Sequence, residues 1–247
     1  MTSITLTQHR HYSRRAYQQT PHPYQHMTTT TDPVILVPAY QSISEPTARL
    51  LADATSCGFR VLEGRGCSNI ALARNLLLER LSQLPHTPCY VWWIDSDIVA
   101  SVTQLIEMQE ELDAIDDAAR TTGTGPTMLS ARYVSRMVHG APAWRALAPE
   151  ERLSTGQIIC DHVGLGCAVA YGYHVLQAWH AAPPLDPASG VSRAPCWDGP
   201  AGGEWYSEDR AYCRHWRQEI GGVVALSEQS VGHLMQVAAY PQPQPTQ

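Results

Sequence analysis

Short apolar runs alternate with amphipathic segments from residue 34 to residue 227, and that alternation confines the chain to a layered α/β architecture. VILVPAY (34–40) has the unbroken apolar character of a strand buried on both faces. SEPTARLLADATSCG (44–58) reads as a helix capped by Ser44, with Pro46 in its first turn and Gly58 as its stop. FRVLEG (59–64) is a second strand, and SNIALARNLLLERLSQL (68–84) predicts a helix capped by Ser68. CYVWWID (89–95) follows as a third strand, then an amphipathic helix over 103–120 and a fourth strand, TMLSARYV (127–134). VGLGCAVAYGYHVLQAW (163–179) reads as a turn, a strand and a helix. SEDRAYCRHWRQEIG (207–221) is a helix capped by Ser207, ahead of the strand VVALS (223–227). Strands separated by helices predict parallel pairing through crossovers.

A chain of 247 residues with 44% hydrophobic residues fits one such domain, placed at 33–236. Residues 1–32 lack a hydrophobic period and read as a flexible arm containing Arg10, Arg14 and Arg15; residues 237–247 read as a Pro/Gln-rich tail. A net charge of −6 gives no overall attraction to nucleic acid or anionic membrane. All 17 basic residues are arginine, so neither a lysine Schiff base nor a phosphate-loop lysine is available. The seven cysteines form no C-x-x-C pair, which favours buried thiols in a reducing, cytoplasmic setting. No apolar run is long enough to predict a membrane span.

The third strand ends in Asp95-Ser96-Asp97. Two carboxylates at the end of a buried strand are costly unless a cation meets them. That end of an open α/β sheet is where ligands bind, although Asp and Ser also serve as ordinary turn and cap residues. The preceding Trp92-Trp93 pair is assigned to sheet packing.

In this order and spacing VILVPAY, SNIALARNLLLE, WIDSDIV, GLGCAVA, GEWYSEDRAYCRHW and VGHLMQ resemble the GT-A glycosyltransferases, especially the inverting family-2-like branch of bacteria and phages. The resemblance spans about residues 33–235. It implies a GT-A (Rossmann-like) α/β fold with a mixed, mostly parallel central sheet flanked by helices. It also implies a nucleoside-diphosphate sugar as donor and Mn²⁺ or Mg²⁺ as cofactor. Under it Asp97 would ligate the metal, with Asp95 facing the ribose or base or reaching the metal through water. His233 would complete the metal shell, and an imidazole ligand would favour Mn²⁺. Asp209 would be the catalytic base, with Glu208 the alternative; acids in a first helical turn are otherwise ordinary dipole partners. Arg74 would bind the donor or Asp95, and Tyr40 would contact the nucleobase; a structural ion pair and a packing tyrosine are the plain readings of the two. Gly164-Leu165-Gly166 would line the acceptor side, where small residues let substrate approach the backbone.

Residues 135–162 and 181–203 match no part of that pattern and are expected to be irregular acceptor loops, with Trp144, Trp197 and Trp205 available for stacking. The acceptor is left as a glycan precursor or a hydroxylated base of phage-type DNA. A nucleotidyltransferase would place glycine and a basic residue after the first strand, where PAYQSISEP has neither. A non-catalytic nucleotide- or glycan-binding module of the same fold and a metal-dependent hydrolase are the remaining alternatives.

Overall fold

Each long helix begins where the sequence supplies an oxygen for its orphan amides. In the computed structural model, which describes residues 29–30, 32–134, 141–185, 191–201 and 204–234, Ser44 caps α1 (Glu45–Ser56) by accepting from the Thr47 amide. Asn69, not Ser68, caps α2 (Ile70–Ser82), accepting from the Leu72 amide at 2.9 Å. Asn has the same capping chemistry as Ser, so the sequence offers two adjacent candidates and the backbone takes the second. Ser101 and Gln104 form a reciprocal capping box on α3 (Val102–Thr122), which ends at Gly123 with φ +70°. α4 (Gly172–Ala181) starts without a side-chain cap, and Ser207 caps α5 (Glu208–Ile220). Among the described residues no helix is long and apolar enough to cross a membrane. The arm's Arg10, Arg14 and Arg15 and the tail 237–247 lie outside the described residues.

The strands are β1 (Thr29–Thr30), β2 (Val34–Ala39), β3 (Arg60–Arg65), β4 (Thr87–Pro88), β5 (Tyr90–Ile94), β6 (Ile98–Val99), β7 (Thr127–Arg132), β8 (Trp144–Arg152), β9 (Ile158–Val163), β10 (Cys167–Tyr171), β11 (Gly199–Ala201), β12 (Glu204–Tyr206), β13 (Val223–Ser230) and β14 (Gly232–His233). Eight of them form one sheet in the order β3-β2-β5-β10-β7-β13-β9-β8. All of these except β9 and β10 run in one direction, which makes the sheet mixed but mostly parallel, with helices on both faces, a Rossmann-like GT-A arrangement. Of the two antiparallel members, β10 lies between β5 and β7. Only Gly164 to Gly166 link it to β9, so no crossover helix fixes its direction. Nor is 135–162 irregular, since its described part folds into the β8–β9 hairpin; within 181–203, residues 199–201 pair with β12.

Burial on both faces explains the unbroken apolar strands. Trp93 packs with Leu77, Leu78, Trp179, Tyr212 and Trp216 beneath α2, α4 and α5. Its neighbour Trp92 points the other way, into Leu50, Leu105, Met108 and Leu112 beneath α1 and α3. Both indoles are fully buried, as sheet packing requires.

The residues after β5 are held from several sides. Asp95 N donates to Gly166 O (2.8 Å), Ser44 N to Ser96 O (2.8 Å) and Leu234 N to Asp97 O (2.9 Å). The buried Thr47 hydroxyl donates to Ile98 O at 2.7 Å. This turn is therefore fixed by α1, by the link into β10 and by β14. Thr47→Val, which keeps the shape and leaves Ile98 O without that donor, should cost about 1–3 kcal/mol in urea unfolding.

Candidate functional site

Arg74 organises the site. It projects from α2 beneath the sheet's carboxyl edge with 1% of its side chain exposed. Its Nη2 lies 3.0 Å from Asp95 Oδ1, 3.4 Å from Asp209 Oδ1 and 3.8 Å from Glu208 Oε1. The guanidinium also sits over the Trp93 ring at 5.4 Å, and Nη1 faces the Leu165 carbonyl at 3.5 Å. Burial alone would lower the pKa of Arg74, but the combined pull of Asp95, Asp209 and Glu208 is stronger and raises it.

One cation faces three carboxyl groups, so the cluster carries excess negative potential. The consequence falls on Asp209. Burial pushes its pKa from 3.8 up to about 8, with Glu208 and Asp95 adding to the rise and Arg74 opposing it. The Leu165 amide also hydrogen-bonds to this carboxyl group and favours its charged form. Asp209 Oδ1 is sealed from solvent with no hydrogen bond of its own, whereas 26% of the whole side chain remains open. At neutral pH Asp209 therefore holds a proton in a position from which a substrate could exchange it.

The two aspartates after β5 face different partners. Asp95 is held by Arg74, whereas Asp97 turns toward β14, where His233 Nε2 lies 3.2 Å from Asp97 Oδ1. β14 pairs with β6 so that His233 stands opposite Ile98, which brings residues 136 positions apart together. His233 Nδ1 faces the Val134 carbonyl at 3.0 Å. That atom can only accept, so Nδ1 carries a proton and Nε2 meets the carboxylate either as an imidazolium donor or across a shared cation. Among the described residues no three His, Cys, Asp or Glu side chains are grouped as a complete metal shell needs. The set Asp95, Asp97 and His233 does not close, because Arg74 already holds Asp95.

Tyr40 is not brought to this cluster. It stands 55% exposed after β2, beside a cavity of about 440 Å³ lined by Gln41, Ser42, Glu63 and Arg65 among others. On the same helix as Asp209, Arg210 pairs with Glu204 and Arg214 donates to Gln218.

Tyr133, absent from the sequence-derived candidates, joins the parts. Its buried hydroxyl accepts from the Gly166 amide at 2.7 Å, and its ring packs edge-on against His233 at 5.4 Å between centroids. Burial, followed by Asp209 and Asp95, raises its pKa well above the usual phenol value. A Cβ at Gly164 would lie 2.2 Å from that hydroxyl, and one at Gly166 would lie 2.8 Å from it and 3.1 Å from Asp95 Oδ2. The Gly-Leu-Gly run is thus a close-approach surface for this chain's own tyrosine and aspartate. Those two glycines were the available sequence signal, but they name no partner.

No protein-family model and no curated protein matches the chain. Among solved structures it is similar to A197 from STIV, with a TM-score of 0.50 and 12% identity, over 83% of this chain and 86% of that one. At that identity the likeness concerns the fold.

Native Asp209 keeps a proton that the unfolded chain loses near pH 3.8. Its contribution to stability is therefore complete below that pH and is lost as pH rises through about 8. In urea unfolding between pH 5 and 8, Asp209→Asn should remove this downward slope. Arg74→Met, which leaves the carboxyl groups without their cation, should cost about 3–5 kcal/mol at pH 8.

Proposed function

We propose that this chain is a glycosyltransferase that moves a sugar from a nucleoside diphosphate to an acceptor hydroxyl with inversion. The observation that carries the reading is the pairing, at the carboxyl edge of a GT-A-type sheet, of Asp97–His233 with a buried carboxyl group whose pKa is near 8. A catalytic base works best when its pKa lies near the working pH, and few carboxyl groups are placed so.

The donor is assigned to the Asp95–Asp97 turn, with the exposed Tyr40 after β2 available to its base. The Asp97–His233 pair suits a divalent cation: the Val134 carbonyl fixes the imidazole through Nδ1, and Nε2 and a carboxylate oxygen face one another. Two protein ligands are a normal complement for Mn²⁺ or Mg²⁺ when substrate phosphates supply others. Bound there, the cation would neutralise charge on the departing diphosphate.

The protein's own groups account for the rest. The acceptor oxygen attacks the anomeric carbon while the bond from that carbon to the diphosphate oxygen breaks, and the bonding pair leaves with the diphosphate. The acceptor proton passes to Asp209 in its ionised form, whose share grows as pH rises through about 8. Attack opposite the leaving group inverts the carbon. Arg74 holds Asp95, Glu208 and Asp209 in fixed relation and stays protonated throughout. Asp209 is taken as the base because burial pushes its carboxyl group up toward neutrality and leaves one oxygen without a hydrogen bond.

Calorimetric titration of UDP and GDP, with and without Mn²⁺, tests the donor site. One of the two should bind only with the metal, and Asp97→Ala should weaken that binding by about tenfold or more. Asp209→Asn should keep nucleotide affinity while lowering turnover by roughly 10²–10⁴-fold. Metal-independent binding that Asp97→Ala leaves intact would overturn the assignment.

A further inference from the structure

A second cleft, of about 390 Å³ and separate from the cavity lined by α1 and β3, has His233 and Tyr133 in its wall. His233 connects this cleft to Asp97, and Tyr133 connects it to Gly166 beside Asp95.

We propose that the second cleft is the acceptor subsite, and that the acceptor it takes is a flat, apolar-faced ring bearing a hydroxyl group, not a sugar. This rests on the transferase reading. The lining makes the choice. Val134, Pro142 and Val231 are aliphatic walls, and Trp144 and Tyr133 contribute rings. The polar side chains at the cleft are largely committed elsewhere. Arg132 Nε donates to Ser227 O at 2.9 Å, and Arg132 Nη2 lies 3.6 Å from Glu228. The Tyr133 hydroxyl is turned to the Gly166 amide, and both His233 nitrogens face Val134 O and Asp97. A sugar carries hydroxyls around its whole edge, and each one buried without a partner costs binding energy. A flat ring needs only stacking surfaces and room, and a cleft of this size lies within the usual range of about 300–1,000 Å³ for small-molecule sites. The ring could be a phenol or a hydroxymethylated pyrimidine; both present the same chemistry to these walls.

Ligand-detected saturation-transfer NMR on the full chain with Mn²⁺ and the bound nucleotide tests this. The probes are 4-hydroxybenzyl alcohol, 5-hydroxymethyl-2′-deoxyuridine and methyl α-glucopyranoside. At least one aromatic probe should bind and the glucoside should not; which aromatic binds identifies the source of the ring. Val231→Trp, which fills the cleft, should weaken aromatic binding by about tenfold or more without changing the nucleotide titration. Trp144→Ala, which removes a stacking face instead of adding bulk, should weaken it roughly fivefold. Glucoside binding equal to that of the aromatics, aromatic binding indifferent to both substitutions, or no binding of any probe would overturn the proposal. Failure of the nucleotide titration alone would count against the transferase reading, which is a separate result.

Discussion

The contact on which the site depends is the one between the Arg74 guanidinium and three carboxyl groups from two distant segments. Asp95 ends a central strand, Glu208 and Asp209 open α5, and Arg74 joins them from α2 almost without solvent. A single buried arginine cannot neutralise three carboxylates, so one of the acids is driven to keep its proton. The same imbalance that makes the cluster costly above neutral pH gives Asp209 a pKa suited to proton transfer. Structure and proposed chemistry thus draw on one electrostatic arrangement.

The sheet serves this arrangement by gathering strand ends at one edge. β2, β5, β7 and β13 all finish there, and antiparallel β10 begins there, with Cys167 opposite Ile94. Reversing β10 brings Gly164 to Gly166 beside the start of the Asp95–Asp97 turn instead of at the far edge. Asp95 N is thereby bound to Gly166 O, and Tyr133 sits over both glycines. A fully parallel sheet would not place these groups together in this way.

Much of this was legible in the sequence, and the reasons differ by element. Strands buried on both faces read clearly because Val, Ile and Trp leave no alternative, and Trp92 and Trp93 fill opposite cores as period-two geometry demands. Helix starts read well where one cap residue stood alone, as at Ser44 and Ser207, and slipped by one where Ser68 and Asn69 stood together. The direction of β10 was hidden, since direction is set by pairing partners far along the chain. The β8–β9 hairpin was missed because its exposed edge strand, WRALAPEER, carries too many polar residues to show a strand period. At the site, Asp95 and Asp97 could be named from their place at a strand's end and Arg74 and Asp209 from the family resemblance, but the separation of the two aspartates onto different partners could not be read. Tyr133 gave no local signal, because its role comes entirely from close approach to two glycines.

The protonation state of Asp209 is the central physical claim, and it can be read directly. Chain labelled with [4-¹³C]aspartate would be titrated by NMR from pH 4 to pH 10, with Asp209→Asn identifying the resonance. A carboxyl midpoint near 8 is expected. A midpoint near 4 would show that Arg74 dominates the cluster and that Asp209 is an ordinary ion-pair partner, which would contradict its role as the base.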